Sequence, residues 1–246
     1  MIGEILSVGT ELLMGEITDT NSGYIAQNAP SLGITILHMS QERDDLRALS
    51  GAIRRGLQRS EIVFITGGLG PTQDDLTREA IADALEEEMT VDAELLGDLK
   101  RWFDYHGTDM PPRNIKQATL IPSAFSIRND QGTAPGWWVE KDEKLIISMP
   151  GPPGEMHNMW ATQIVPRLEG RSKKGVIFSR TIKTTDLAEA IIAEKVAQYT
   201  ESQNPYLGIY AKQDGVHLRI IAHADTVSEA KELIRPVENG LVNSMG

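Results

Sequence analysis

Along the first 170 residues the spacing of apolar positions switches repeatedly between a period of two and one near 3.6. Ile2–Val8 alternates apolar with polar or small residues and stops at Gly9, which predicts a strand. Thr20 to about Ala29 predicts a helix, which Pro30 should end early, and Ile34–Met39 a second strand. Arg43–Arg59 places Leu46, Leu49, Ile53 and Leu57 on one helical face. Ile62–Thr66 predicts a third strand, apolar on both faces as in the middle of a parallel sheet, and Asp75–Glu87 the helix after it. Helices are expected over Asp92–Tyr105 and Arg113–Ala118, and strands around Trp137–Val139 and Leu145–Met149. A last helix opens at Pro152 and runs toward Leu168, with Pro166 ending or kinking it. This alternation predicts an α/β domain with a doubly wound, mostly parallel sheet over residues 1–170.

Gly-Arg-Ser-Lys-Lys at 170–174 reads as a linker. Beyond it the pattern predicts strand 176–183, helix 186–199, strands 206–212 and 216–223, and helix 226–239. That β-α-β-β-α order over 175–246 suggests a small α+β domain of KH or ferredoxin-like type, a closing strand being the element that would follow.

Charge divides at the same place. Residues 1–170 carry 14 Lys+Arg against 26 Asp+Glu, a balance of −12, and residues 171–246 carry 10 against 9, a balance of +1; together these make the −11 of the chain. Neither part holds the basic stripe that nucleic-acid binding needs, so no direct nucleic-acid partner is expected. With no cysteine, disulfides, thiol nucleophiles and Cys-ligated metals are excluded. MIGEILSVGTELL lacks the basic start of a signal peptide, and no apolar run approaches the ~18–20 residues of a membrane span. A cytoplasmic protein is expected.

Three predicted strand ends run into unusual loops. Thr66-Gly67-Gly68-Leu69-Gly70-Pro71-Thr72-Gln73-Asp74-Asp75 follows the third strand. Its glycines let a ligand approach the backbone, and the next helix offers free N–H groups and a positive dipole end to phosphate. Thr72 or Asp74 would also suit a helix cap, but so uncommon a Gly-Gly-x-Gly-Pro-Thr-x-Asp-Asp string favours a site. Two aspartates beside a phosphate repel it unless a divalent cation intervenes, so Asp74 or Asp75 reads as an oxygen ligand for magnesium or manganese. Gly9-Thr10-Glu11, with Asp19 and Asn21 a few residues on, occupies the first strand end; Asp19 alone would suit an N-cap. Pro150-Gly151-Pro152-Pro153-Gly154-Glu155 occupies the third, and Gly132-Thr133 lies in a weaker turn motif. The five histidines show no ligand spacing, and no GxSxG, P-loop or GxGxxG string occurs. Trp137-Trp138 reads as strand packing.

Taken together, GTELLMGEITDTNS, TGGLGPTQDDLTREA, MPPRNIKQATLIP, QGTAPG and MPGPPGEM resemble the N-terminal region of the competence/damage-inducible CinA family, in the same order. The resemblance covers residues 1–170 and continues more weakly over 180–223. It implies a molybdopterin-binding-like domain and a metal-dependent hydrolase that splits ADP-ribose into AMP and ribose 5-phosphate. Catalysis and metal binding would then fall to Asp74, Asp75 and Glu11, with Asp19 a fourth metal ligand and magnesium, manganese or cobalt the ion. Gly9, Thr10, Asp19, Asn21, Thr66, Gly67, Gly68, Gly70, Pro71, Thr72, Gly132, Thr133, Pro150, Gly151, Pro152, Gly154 and Glu155 would hold a nucleotide or pterin phosphate. The competing expectations are a molybdopterin-binding or adenylyl-transfer protein of molybdenum cofactor synthesis, and a non-catalytic interaction module. A homo-oligomer, dimer or trimer, is implied as well. Relatives often add an amidase domain; the chain ends before one, so no amidase activity is expected. Where the family tends to read Gly-Ile-Gly-Glu-Ser, residues 186–190 are Asp-Leu-Ala-Glu-Ala, which points to a structural or dimerisation role for the second domain.

Overall fold

Five consecutive residues with no exposed face, Ile62–Thr66, form β3 at the centre of a six-stranded sheet. The computed structural model describes residues 1–169, 175–185 and 187–245, so the expected linker at 170–174 and Asp186 lie outside the described residues. Two compact units result: Met1–Ala29 with Thr35–Arg171, and Pro30–Ile34 with Ser172–Gly246.

In the larger unit, β1 (Ile2–Val8) leads through the short helix α1 (Thr10–Leu13) to α2 (Asn21–Asn28). α2 stops ahead of Pro30, where the Pro30–Ile34 segment of the other unit begins. Next come β2 (Thr35–Glu42), α3 (Leu46–Arg59), β3, α4 (Thr77–Leu85), the two-residue β4 (Thr90–Val91) and α5 (Ala93–Tyr105). The remainder is β5 (Thr119–Leu120), β6 (Ala124–Ile127), β7 (Gly136–Lys141), β8 (Lys144–Met149), α6 (Pro153–Met159) and α7 (Val165–Glu169).

The sheet order is β2-β1-β3-β8-β7-β6. β2, β1, β3 and β8 run parallel, while β7 and β6 turn back antiparallel. The register pairs Ser7 with Thr66 and Thr66 with Met149, so the C-terminal ends of β1, β3 and β8 lie side by side. Trp137 on β7 is fully buried and joins Leu49, Ile53, Ile65 and Ile81 in the core, as expected for strand packing. Glu4 is buried on β1, and Arg59 from the end of α3 meets it with two hydrogen bonds, 2.8 Å from Nε and 2.6 Å from Nη2.

Several boundaries differ from expectation for local reasons. α3 begins at Leu46 because Asp45 caps it, its carboxylate accepting from Ala48 N–H at 2.9 Å. α4 begins at Thr77, not Asp75, because Asp75 turns back onto Thr72, and it ends where Glu86 adopts a left-handed conformation. Residues 112–118 form a 3-10 helix. The helix expected from Pro152 passes through a π-helical turn at Trp160–Ile164 just before Pro166, so the proline's missing donor falls beside a widened turn. β6 escaped prediction: it is only four residues long, with its two end residues buried and no regular alternation between them.

The smaller unit contains β9 (Val176–Thr184), α8 (Glu189–Thr200), β10 (Tyr206–Lys212), β11 (Gly215–Ala224) and α9 (Val227–Met245). Its antiparallel sheet is ordered β10-β11-β9, and Leu218, Ile220, Ile192 and Ile234 form its separate core. Among the described residues, no helix is long and apolar enough to cross a membrane.

Candidate functional site

The adjacent ends of β1, β3 and β8 open into a cleft of about 540 Å³. Parallel sheets bind ligands at this edge, where loops diverge and helix N-termini converge. Of the residues proposed from sequence, Gly9, Glu11, Asp19 and Asn21 line it from the first loop. Thr66, Gly67, Gly68, Gly70, Pro71, Asp74 and Asp75 line it from the second, and Pro150, Gly151, Pro152 and Glu155 from the third. Thr133 lines it from the turn before β7.

The glycines have specific tasks. Gly67 and Gly68 both take positive φ, 96° and 65°. A Cβ on Gly67 would sit 2.2 Å from Val8 O, so no other residue lets β3 end this close to β1. Gly67 lines the cleft, but its N–H donates to Met149 O at 3.0 Å, so the loop's unengaged backbone donors start at Gly68. Thr77 secures the turn, its hydroxyl donating to Gly67 O at 2.7 Å and its N–H to Gly68 O at 3.1 Å. Elsewhere glycines make room for acids. A Cβ on Gly9, Gly70 or Gly132 would collide with the carboxylate of Glu11, Asp75 or Glu155, at 2.6, 2.4 and 2.3 Å.

Asp75, Asp74 and Asp19 are held by local donors. Thr72 donates to Asp75 Oδ2 from its N–H at 2.8 Å and also from its hydroxyl. That hydroxyl also reaches Asp74, which it holds below the ordinary carboxylate range, helped by the aspartate's own N–H and by Lys116. For Asp19, burial pulls toward the neutral form, but bonds from the Ser22 hydroxyl and N–H, with lesser help from Ser7 and Gln41, outweigh it and lower its pKa. Ser22 in turn meets the buried Ser7 hydroxyl at 2.8 Å, which ties α2 to β1. Asn21 donates from Nδ2 to Gly151 O at 2.8 Å, joining the first loop to the third.

Four proposed residues fall outside the lining. Thr10 is spent on Asp44, to which its N–H and hydroxyl both donate at 2.8 Å. Thr72 serves as the clasp of Asp75. Gly132 seats Glu155, and Gly154 lies inside α6 near Gln131. The four expected metal ligands do not form a ready-made cage: among the described residues, no three His, Asp or Glu side chains form a group that could hold a metal ion.

Other residues carry the site without having shown a sequence signal. Asp44 lines the cleft from the loop before α3. Arg78, 1 % exposed, donates to Leu69 O at 2.8 Å and to Pro135 O at 2.9 Å, and burial lowers its pKa to about 10. It remains charged at neutral pH and links the glycine loop to the 132–136 turn. Asn129 Nδ2 donates to Ala134 O at 3.0 Å and to Glu155 Oε2 at 2.6 Å, fixing the same turn from its other side. Six carboxylates thus line the cleft, Glu11, Asp19, Asp44, Asp74, Asp75 and Glu155, with no Lys or Arg among the described lining residues.

Residues 4–170 match the family model described as "Probable molybdopterin binding domain", and residues 179–246 match the "Damage-inducible protein CinA KH domain". A "CinA-like protein" of Thermomicrobium roseum is 43 % identical over 242 residues, 98 % of this chain and 60 % of that protein. Another, from Deinococcus radiodurans, is 43 % identical over 243 residues, 96 % of this chain and 59 % of its own length. The chain therefore spans about 60 % of the length of the curated relatives it matches. A crystal structure described as "the protein CinA with unknown function", from Thermoplasma acidophilum, superposes with a TM-score of 0.63 at 31 % identity, covering 67 % of this chain and 96 % of that one. With both family models matched in order along its length, the chain belongs to the CinA family, a molybdopterin-binding-type domain followed by a CinA KH domain.

Proposed function

We propose that the cleft binds the phosphate-bearing end of a pterin or nucleotide, and that the protein acts as a molybdopterin-binding or adenylyl-transfer protein. The observation that carries this reading is the Gly67-Gly68 turn, which brings bare backbone to the floor of the cleft at the end of a parallel strand. The molybdopterin-binding description of the matched model supports the pterin side of it. Loop donors from Gly68 onward would orient the phosphate, and the Gly151 turn, tied down by Asn21, would close over it. Asp19, with its lowered pKa, is an anion at neutral pH and so accepts hydrogen bonds rather than supplying a proton.

An anionic ligand in a cleft lined by six acids calls for a counter-charge. The donor set suits magnesium, manganese or cobalt. Magnesium commonly uses one or two carboxylates together with substrate phosphates, so a protein cage of three acids is not required. Asp74 and Asp75 would hold it, and when bound it would neutralise phosphate charge and polarise a phosphoryl oxygen.

The same acid lining favours a second reading, metal-dependent hydrolysis of a nucleotide diphosphate such as ADP-ribose to AMP and ribose 5-phosphate. One experiment separates the two. The protein is offered ADP-ribose, FAD, NAD, AMP and a pterin with each metal, and both melting temperature and AMP release are followed. Stabilisation by pterin or AMP without turnover supports the binding or transfer reading, and AMP release from ADP-ribose supports hydrolysis. Absence of stabilisation by every compound would overturn both, because a ligand of the native state must raise its melting temperature.

A further inference from the structure

A second cavity, of about 450 Å³, adjoins the acidic cleft within the larger unit, and Gln117 and Thr133 line both. It differs from its neighbour in carrying aromatic side chains and arginines. The described lining of the cleft contains no aromatic side chain. The second cavity has Leu95, Leu99, Trp102 and Tyr105 along one face of α5, at the spacing that keeps side chains on one side of a helix. Arg128 and Asn129 belong to its other wall.

The aromatic residues are available. Trp102 is 36 % exposed and Tyr105 88 %, whereas Trp137, Trp138 and Trp160 are buried. One contact of the Trp102 indole is a stack on His106, with ring centroids 3.9 Å apart. The guanidinium groups that reach the cavity are already engaged, Arg101 by Asp98 and Arg128 by Asp130. Their planes can also stack on a ring. Ser126, Gln117 and Thr133 add hydrogen-bonding groups of the kind that read a heterocycle's edge.

The partition between the cavities is tied down by side-chain hydrogen bonds. Asn129 holds Ala134 O, Arg78 holds Pro135 O, and Gln117 Oε1 accepts from Asn114 Nδ2 at 2.8 Å. The two spaces therefore form a pair, one with glycine backbone and six acids, the other with an aromatic and apolar helix face opposite a wall of polar and charged side chains.

We infer that the second cavity is the subsite for the planar heterocycle of the ligand, a purine or pterin ring stacked on Trp102, with the phosphate end lying across the partition in the acidic cleft. This inference rests on the phosphate reading of the cleft and specifies where the other half of the same molecule lies.

The test compares ring-bearing with ring-free probes on the intact protein in magnesium: AMP and 6-hydroxymethylpterin against ribose 5-phosphate and pyrophosphate. AMP and ribose 5-phosphate differ at the ring position, so their ratio of Kd values isolates the subsite. AMP should bind about tenfold more tightly, the usual scale for one base on one aromatic platform. It should saturably quench tryptophan fluorescence, to which the exposed Trp102 is the accessible contributor, and ribose 5-phosphate should not. Trp102→Leu should remove the quenching and bring the two Kd values together, leaving that of ribose 5-phosphate unchanged. Should this variant fold poorly, the wild-type quenching together with the wild-type ratio of the two Kd values gives the same decision. Equal wild-type affinities without quenching would overturn the subsite and leave the cleft reading standing. A parallel loss of both ligands in Trp102→Leu would also overturn it. If no probe binds, the cleft reading fails together with the subsite.

Discussion

Replacing Gly67 with alanine tests whether the glycine turn is dictated by the close approach of two strands. Its φ of 96° is unfavourable for any residue with a Cβ, and that atom would lie 2.2 Å from Val8 O, a backbone atom in a parallel strand that cannot swing aside. The conformational part costs about 1–2 kcal/mol. Forcing β1 and β3 apart adds about 1–3 kcal/mol, the usual scale of overpacking. At about 2–4 °C per kcal/mol for a domain of this size, the expected fall in Tm is about 4–20 °C. Gly15 provides the control, because its φ is 71° and an added Cβ would meet nothing within 4 Å. Gly15→Ala should therefore lose only the conformational part, about 2–8 °C. Thermal unfolding of wild type and both variants, followed by circular dichroism and repeated in urea, measures the difference. Equal losses in the two variants would show that the contact with Val8 O is relieved cheaply, and the structural explanation of the turn would be refuted.

Further outcomes follow from the buried charges and from the acids of the cleft. Arg59→Met should destabilise the larger unit by about 2–4 kcal/mol, because it strands the buried Glu4 carboxylate; urea unfolding checks this, and Glu4→Gln in the same background should restore part of the loss. Arg78→Met should cost about 2–4 kcal/mol by leaving Leu69 O and Pro135 O without their guanidinium donor, and should weaken ligand binding beyond the effect on Tm, read by calorimetry. The Asp19 carboxyl has a lowered pKa when folded, so its contribution is fully present above the unfolded value near 3.8 and is lost as pH falls through the folded value. Ser22→Ala should accordingly be less stable than wild type at pH 7, with the gap narrowing on acidification below about pH 4; a gap independent of pH would contradict this. Finally, magnesium and AMP together should raise Tm, and EDTA should remove most of that increase, if a cation offsets the acid lining.

Much of the site could be read before the fold because its three main motifs all sit at strand C-terminal ends. Once β1, β3 and β8 are neighbours and parallel, the loops after them meet without further assumptions. Residues that act through long-range bonds could not be read. Asp44 appeared to belong to a helix, yet it holds Thr10 across the cleft mouth. Arg78 sits within a quoted motif, but nothing local reveals that its side chain crosses to Pro135, 57 residues away in sequence. Thr72 and Asp75 had the right types and positions, but they bond to each other first, which moves the start of α4 by two residues and turns a proposed ligand contact into a clasp. Trp102 shows the same limit in the opposite direction. Trp137-Trp138 is the conspicuous aromatic pair and is buried, whereas the open indole lies on a helix whose pattern looked ordinary.

Arg78 also bears on how a strongly acidic unit can present donors to an anion. A trans peptide is planar, with its C=O and N–H pointing in opposite directions. The guanidinium draws Leu69 O into the interior, so the N–H of the same peptide, that of Gly70, points the other way. Lys116 acts similarly one turn further along. Its ammonium accepts no place in the cleft lining and instead donates to Thr72 O at 3.0 Å and Asp75 O at 2.5 Å. Three of the loop's carbonyls, those of Leu69, Thr72 and Asp75, are thus held by cations behind it, while Asp75 and Glu155 in front are held by hydroxyl and amide donors. Positive charge orients the backbone without entering the cleft, and the counter-charge for a phosphate is left to be brought with the ligand. A cleft built this way should bind a phosphate–cation pair and reject the bare phosphate, which makes dependence on a divalent cation a property of binding itself and not only of any later chemical step.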